Sequence, residues 1–427
     1  MGATSTTTND TDTQLGPVVV VGGGQAGFQA AVSLRDHGFP GAVTIVTDEP
    51  DLPYQRPPLS KAYLTAGADE SVALTLRPRE FYERHAVQIV EDPAIEIDRA
   101  GRRVLLRSGR ALGYGALVLA TGARARPVPV PGGELGRVFV LRTSADAGAL
   151  RSVLVPGARM VVIGGGFVGM EVAASARTVG VAVTVVEALD RVLARVVAPE
   201  VSAHVQDTHD RAGTRVLLGR TVRALHGEAG RVAAVELSDG EVLPADLVVV
   251  GIGALPNVEL ARACGLDVAD GIVVDAALRT GDPRISAIGD CASYPSRHAG
   301  ARTRLESVQN AVGQARYVAR RLAGVGPTEP YGDVPWFWTN QLGLRIQTAG
   351  IGRTDDRTVV HGEPAEGSFS VYRFHGDRLV CVESVNQTGD HMAARKVLAG
   401  DRGPDPDAVA AAGFDLRRFA AAGTDGG

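Results

Sequence analysis

Lysine is nearly missing from this chain. Lys61 and Lys396 are the only two, beside 42 arginines. Arginine therefore fills almost every cationic role, and a lysine kept in such a background is a candidate for work that needs a compact, titratable charge. Cysteine is scarce as well. Cys264, Cys291 and Cys381 stand far apart with no C-x-x-C pair, which argues against a disulfide framework or a zinc site and reads as small buried thiols. No apolar run approaches the ~20 residues of a bilayer-spanning helix. Residues Met1–Gly16 are rich in Thr, Asp and Asn and lack the basic and apolar regions of a signal peptide. The expectation is a disordered leader (1–16) on a cytoplasmic protein. A basic excess is also absent: the net charge of −4 gives no general attraction to nucleic acid or anionic membrane, so any cationic binding face must be local.

What is present is enough chain, at 427 residues, for about three domains, and one pattern that occurs twice. Val18–Val21 runs into Gly22-Gly23-Gly24-Gln25-Ala26-Gly27, and Met160–Ile163 runs into Gly164-Gly165-Gly166-Phe167-Val168-Gly169. Each copy is an apolar strand, a G-x-G-x-x-G loop and an Ala-rich helical stretch ending near Gly38 or Gly180. A β-branched strand follows each, Val43–Val46 and Val183–Val186. In such a loop the first glycine makes the tight turn and the second lets backbone approach a pyrophosphate. The third lets helix pack on strand, so that the helix N-terminus faces the anion.

An acid at the end of the second strand accepts from ribose hydroxyls. In the second copy it is Glu187. Its carboxylate would repel a 2′-phosphate, and Arg191 is the first nearby cation, so NADH is preferred over NADPH. In the first copy the matching position is Thr47, and Asp48, ahead of Glu49, is the first choice as ribose ligand. Two cradles in one chain suggest FAD in one and NAD(P)H in the other, without saying which.

Further segments settle the order. Pro53-Tyr54-Gln55-Arg56-Pro57-Pro58-Leu59-Ser60-Lys61 follows the first cradle; Leu119-Ala120-Thr121-Gly122-Ala123-Arg124 and Leu141-Arg142-Thr143 lie between the cradles. Asp246–Gly253, Ile288-Gly289-Asp290-Cys291-Ala292 and Pro335-Trp336-Phe337-Trp338 come after the second. As a set, over roughly residues 17–400, they resemble the FAD/NAD-linked ferredoxin reductases of the putidaredoxin reductase type, including reductases of aromatic dioxygenases. The resemblance implies an α/β chain with two Rossmann-like, glutathione-reductase-like dinucleotide-binding domains and a C-terminal α+β domain. The expected boundaries are 17–115 and 251–329 for a discontinuous FAD domain, 116–250 for an NADH domain, and 330–427 for a C-terminal reductase domain with a flexible tail. The Pro/Gly-rich stretches Arg126–Gly133 and Ala323–Pro327 agree as linkers.

Carried over position by position, the resemblance places Gly22, Gly24, Ala26, Gly27, Asp48, Glu49, Arg56, Lys61, Ile95, Thr121, Gly122, Arg142, Asp290, Val308 and Trp338 on FAD. It places Gly164, Gly166, Gly169, Glu187, Arg195 and Gly253 on NADH. Lys61 and Glu171 are the pair expected to tune the flavin, because such positions in related flavoproteins meet as an ion pair near flavin N5. The competing readings are a favourable acid in the first helical turn for Glu171 and a surface role for Lys61. One departure stands out: Thr339-Asn340-Gln341 follows Trp338 where relatives usually carry Ser-Asp-Gln.

The implied chemistry is hydride transfer from NADH to FAD, then single electrons to an acceptor. No cysteine lies in the Pro53–Pro57 region, where disulfide reductases, peroxidases and oxidases of this architecture keep one or two, so electrons should leave straight from the flavin. The implied partner is an acidic 2Fe–2S ferredoxin serving a haem-thiolate (cytochrome P-450 type) monooxygenase or a ring-hydroxylating dioxygenase. It would meet a local basic face, with candidates Arg77, Arg79, Arg316, Arg320, Arg321 and Arg345; the other reading is a solvated arginine face. Arg316 and Arg320 are i, i+4 on a helix expected from near Glu306. Trp336 and Trp338 are candidates for the electron exit or for plain core packing. Two rivals stay open: an NADH-linked flavoprotein reducing a quinone or oxygen, and an apoptosis-inducing-factor-like flavoprotein used for binding.

Overall fold

The computed structural model describes residues 16–67, 70–400 and 402–422; the expected leader, apart from Gly16, and the last residues of the expected tail lie outside them. The duplicated pattern folds twice in the same way. The first copy gives β1 (Val18–Val21), α1 (Gln25–Asp36) and β2 (Val43–Thr47). The second gives β3 (Arg159–Ile163), α2 (Phe167–Thr178) and β4 (Ala182–Val186). Val18 pairs with Val43 and Met160 with Val183, both parallel. Each pair is central in a five-stranded parallel sheet. The first sheet runs Ile285–Ala287, Ala116–Leu119, β1, β2, Val87–Glu91. The second runs Arg215–Leu217, β4, β3, Leu247–Val250, Val138–Val140. Valine and leucine fill β1 and its neighbour 116–119 without a polar alternation because these strands are covered on both faces.

Two expected boundaries move. Ala116–Leu119, assigned above to the second unit, pairs with β1, so the chain leaves the first sheet after Leu119. Tyr331, assigned to the third unit, packs in the first core against Tyr294 and Tyr317. Both shifts have one cause: a strand or ring belongs where its partner is, and the partners lie far off in sequence. The outgoing and returning connections run side by side, Ala123–Ala125 pairing antiparallel with Ala254–Pro256.

The last sheet is antiparallel and starts with β5 (Trp336–Gln341), followed in space by 344–350, 378–385, 368–375 and 357–363. One of its faces merges with the second core: Leu344, Ile346, Phe369, Val371 and Val385 pack with Val197, Val201 and Val205 at and around α3 (Pro199–Arg211). Glu383 fastens that contact. Its Oε2 accepts the N–H of Ala198, the N-cap of α3, at 2.7 Å, and its Oε1 accepts from Arg373 at 2.8 Å. The other face is covered by α5 (Thr388–Ala399); on the first sheet, α4 (Val308–Leu322) lies against α1. Among the described residues no helix is long and apolar enough to cross a membrane.

His391, on α5, is fully buried with neither ring nitrogen hydrogen-bonded among the described residues. Burial, then the nearby charges of Arg395 and Arg345, push its pKa down to about 4. Its ordinary value is about 6.5, so the fold holds it neutral. The stability this contributes is complete above the unfolded value and is lost as pH falls toward the folded one. His391→Phe is therefore expected to flatten the acid limb of stability, with the difference from wild type growing between about pH 6.5 and 4 to about 3 kcal/mol. Denaturant titrations at stepped pH read this directly.

Candidate active site

The two loops match atom for atom. Gly22 and Gly164 take positive φ, +122° and +104°, and donate to Val46 O and Val186 O, each at 2.8 Å. A Cβ on Gly22 would lie 2.1 Å from Ala120 O, and one on Gly164 2.5 Å from Gly251 O. A Cβ on Gly27 or Gly169 would strike the carbonyl of its own first glycine, at 1.9 and 2.0 Å. The middle glycines differ. Around Gly24 nothing lies within 4 Å, and around Gly166 only Gly251 O, at 3.9 Å. Each middle glycine is the N-cap of a 12-residue helix, with no side-chain cap and no acid in the first turn. Among the described residues the first turns of α1 and α2 thus have neither a side-chain cap nor an acid, and the space beside their middle glycines is open, which is the arrangement a pyrophosphate fills.

Around the first cradle the other expected residues close into one cluster. A Cβ on Gly122 would lie 3.7 Å from the Arg142 guanidinium, which donates to Asp290 Oδ2 at 2.7 Å. Gly289, beside Asp290, abuts Ala26 at the start of α1 and Ala311 near the start of α4, and its N–H donates to buried Gln314 at 2.7 Å. Val308 is the first residue of α4, two residues later than the expected start. Thr121 donates to Asn257 O at 2.6 Å and ties the two connections together. Arg142 Nε is buried with no acceptor among the described residues, so the cluster has a cationic donor to spare for a phosphate.

Register resolves the acids. Val46 and Val186 occupy matching places, so Thr47 is the true counterpart of Glu187 and Asp48 follows it. Glu49 is committed elsewhere: it accepts from Tyr54 and Arg56, each at 2.5 Å. Burial pushes the Tyr54 phenol up to about 12, so it remains a donor. Asp48 is exposed, with no carboxylate partner among the described residues. In the second copy Glu187 takes the N–H groups of Gly165 (2.6 Å) and Leu189 (2.8 Å). Arg191 is held by Ala194 O and Val197 O, at 2.8 and 2.9 Å, while Arg195 is exposed. Gly253 has φ +103° and open space beside it. Ile95 stands apart: its side chain is 54% exposed, while its neighbour Ala94 turns to the first core.

Lys61 and Glu171 do meet, Nζ to Oε1, at 2.7 Å. Glu171 is the fifth residue of α2 rather than a first-turn acid, and it is 5% exposed. Two hydroxyls that sequence reasoning did not assign join it: Ser60 at 2.5 Å and Thr339 at 2.6 Å. Nothing local announces either one. On the same strand, Phe337 packs on Phe167, the first residue of α2, with ring centroids 4.4 Å apart. Trp336 and Trp338 are partly exposed, 5.8 Å apart, and Arg395, also missed, lies over Trp336 at 4.4 Å.

Residues 16–315 match the model of the pyridine nucleotide-disulphide oxidoreductase family, and 336–420 match the reductase C-terminal family. The chain belongs to the pyridine nucleotide-disulphide oxidoreductase family. It is 48% identical to rhodocoxin reductase of Rhodococcus erythropolis over 94% of this chain and 93% of that one. It superposes on the ferredoxin reductase for the CYP199A2 system from Rhodopseudomonas palustris with a TM-score of 0.91, at 48% identity, covering 95% and 99% of the two chains. Against the covalent putidaredoxin reductase–putidaredoxin complex the TM-score is 0.90, at 39% identity and 96% and 99% coverage. FAD and a nicotinamide dinucleotide are the cofactors this membership brings, and the open cradles, uncapped helix starts and unpartnered Arg142 Nε fit them. The family's disulfide does not carry over. The three cysteines are free and separate, and burial raises the pKa of each.

The glycine contacts separate folding from binding. Gly24→Ala places its methyl in open space, so the apoprotein is expected to keep its melting temperature while FAD retention on gel filtration falls at least about tenfold. Gly27→Ala drives its methyl into a carbonyl and is expected to give little folded protein.

Proposed function

We propose that this chain is an FAD-dependent NADH:ferredoxin oxidoreductase. It supplies electrons to a 2Fe–2S ferredoxin that serves a haem-thiolate monooxygenase or a ring-hydroxylating dioxygenase. The observation that carries the reading is the buried Lys61–Glu171 pair, which joins the first cradle's loop to the second cradle's helix in a chain without a redox cysteine. The names of the relatives point the same way: the Rhodopseudomonas palustris protein is a ferredoxin reductase, and the putidaredoxin reductase structure contains putidaredoxin.

Gly22, Gly24, Ala26 and Gly27 at the N-terminus of α1 take the pyrophosphate of FAD, with Asp48 on its adenosine ribose. Asp290 and the Arg142 guanidinium hold the ribityl–phosphate part, and the start of α4 at Val308 faces the ring system. Gly164, Gly166 and Gly169 take the pyrophosphate of NADH, and Glu187 its ribose hydroxyls. Arg191 is already committed to backbone carbonyls and the Glu187 carboxylate would repel a 2′-phosphate, so NADH is preferred over NADPH. FAD held there would supply a hydride acceptor for NADH and a donor of single electrons. The protein's part is to align the two ring systems, exclude water and set the local charge. Lys61 offers a cation against charge that builds on the ring, and Glu171 fixes where that cation stands.

For the acidic ferredoxin, Arg316 and Arg320 lie exposed on one face of α4, with Arg345 and Arg77 exposed elsewhere. Arg79 is offset by Glu91 at 3.3 Å, and Arg321 leaves the set because it turns inward to Ser286 at 2.6 Å. The three unpaired thiols fit a reducing cytoplasm. Anaerobic stopped-flow at ~450 nm tests the whole reading. Holoprotein should bleach rapidly with NADH and be reoxidised by a 2Fe–2S ferredoxin, at a rate falling about tenfold or more between low and high salt. Bleaching without a ferredoxin response would transfer the assignment to a small-molecule acceptor, and failure to bleach would end the catalytic reading.

A further inference from the structure

Three donors from two remote parts of the chain end on one carboxylate. Glu171 Oε1 receives Lys61 Nζ at 2.7 Å and the Thr339 hydroxyl at 2.6 Å, and Oε2 receives the Ser60 hydroxyl at 2.5 Å. Ser60 and Lys61 belong to the loop after the first cradle, and Thr339 to β5 of the last sheet. Thr339 has no exposed surface and Ser60 is 5% exposed, so water cannot replace either donor. A hydroxyl has one proton to give, and here each gives it to Glu171. The Ser60 carbonyl in turn accepts from Ser175, at 2.7 Å, fastening the loop to α2 a second time.

We infer that Thr339 is a positioning residue for the flavin-side cation, with Ser60 as its counterpart on the other carboxylate oxygen. The inference rests on the reading that flavin bound beside Lys61 is reduced by NADH. Oε1 is shared between Lys61 and Thr339. The threonine proton draws part of that oxygen's charge, so Lys61 is held in place without being fully neutralised, and the remainder of its field is available to the ring system. Without the hydroxyl, Oε1 has Lys61 alone. The pair closes on itself, and less positive field reaches a reduced flavin. Placing this donor on β5 also means that the last sheet must be docked for the pair to be set correctly.

The isosteric Thr339→Val removes the donor and keeps the shape. In the holoprotein the oxidised–reduced equilibrium of the flavin is expected to move about tenfold toward oxidised, a midpoint lower by about 30 mV for two electrons. Hydride transfer from NADH should slow about tenfold, with the NADH dissociation constant unchanged. Thr339→Ser, which keeps the proton, should restore potential and rate. Ser60→Ala should shift the potential in the same direction, and it carries the test if Thr339→Val yields no holoprotein. A variant that melts earlier or loses FAD faster, while its retained flavin keeps the wild-type potential and rate, would reduce Thr339 to a packing residue and overturn the inference. Wild-type protein that NADH cannot reduce would instead sink the reading beneath it, so the two failures are distinguishable.

Discussion

A single buried carboxylate holds this architecture to its purpose. Glu171 stands on the helix of the second cradle, receives two donors from the loop behind the first, and receives a third from the last sheet. A carboxylate is acceptor-only when ionised, and burying it costs several kcal/mol unless donors surround it. Each donor is therefore required by the burial, and each comes from a segment that must be folded and docked to reach it. Local chemistry and tertiary assembly are thus one constraint. The pair cannot be set unless the three sheets sit correctly, and their correct seating is what excludes water from it.

The same logic sorts what could be read ahead of the structure from what could not. The cradles were legible because a tight turn, an open approach and a close helix contact each demand glycine at fixed spacing, and those demands are local. The offset between the copies was legible too, since register makes Thr47 the positional counterpart of Glu187. The pairing of Lys61 with Glu171 was reached through resemblance rather than spacing, since 110 positions of chain separate the two. Ser60 and Thr339 were invisible as ligands because a hydroxyl beside a carboxylate leaves no pattern unless one knows which strand lies over which helix. The first boundary failed for the same reason. Residues 116–119 are apolar like any buried strand, and their partner β1 lies nearly a hundred residues upstream. The glutamate turned out to be a buried ligand and not a helix-dipole acid.

Membership in a disulphide oxidoreductase family sharpens the meaning of the missing cysteines. The fold provides two cradles and a meeting place between them; the thiol pair is an addition to that plan and not a part of it. Here the stretch after the first ribose acid is spent on a polar brace. Tyr54 and Arg56 hold Glu49, and Arg56 also donates to the backbone of Arg142 at 2.7 Å. Arg142 reaches Asp290 across the cluster. The segment that could have carried a redox pair instead stiffens the walls of the first cradle, which accords with the proposed passage of electrons without a thiol step.

Strand β5 presents two different faces. Side chains alternate along a strand, so Phe337 and Thr339 face α2, against Phe167 and Glu171, while Trp336 and Trp338 face the opposite way. One side of this strand thus closes over the hydride side of the proposed reaction. The other presents aromatic surface capped by Arg395, with Arg345 close enough to act on the same buried histidine. Trp336 packs against the core beneath α5, 5.3 Å from the His391 ring, with the α5 cation Arg395 held over its indole. The last sheet thus carries the Thr339 donor to Glu171 and the Trp336–Trp338 pair on opposite sides of a single strand.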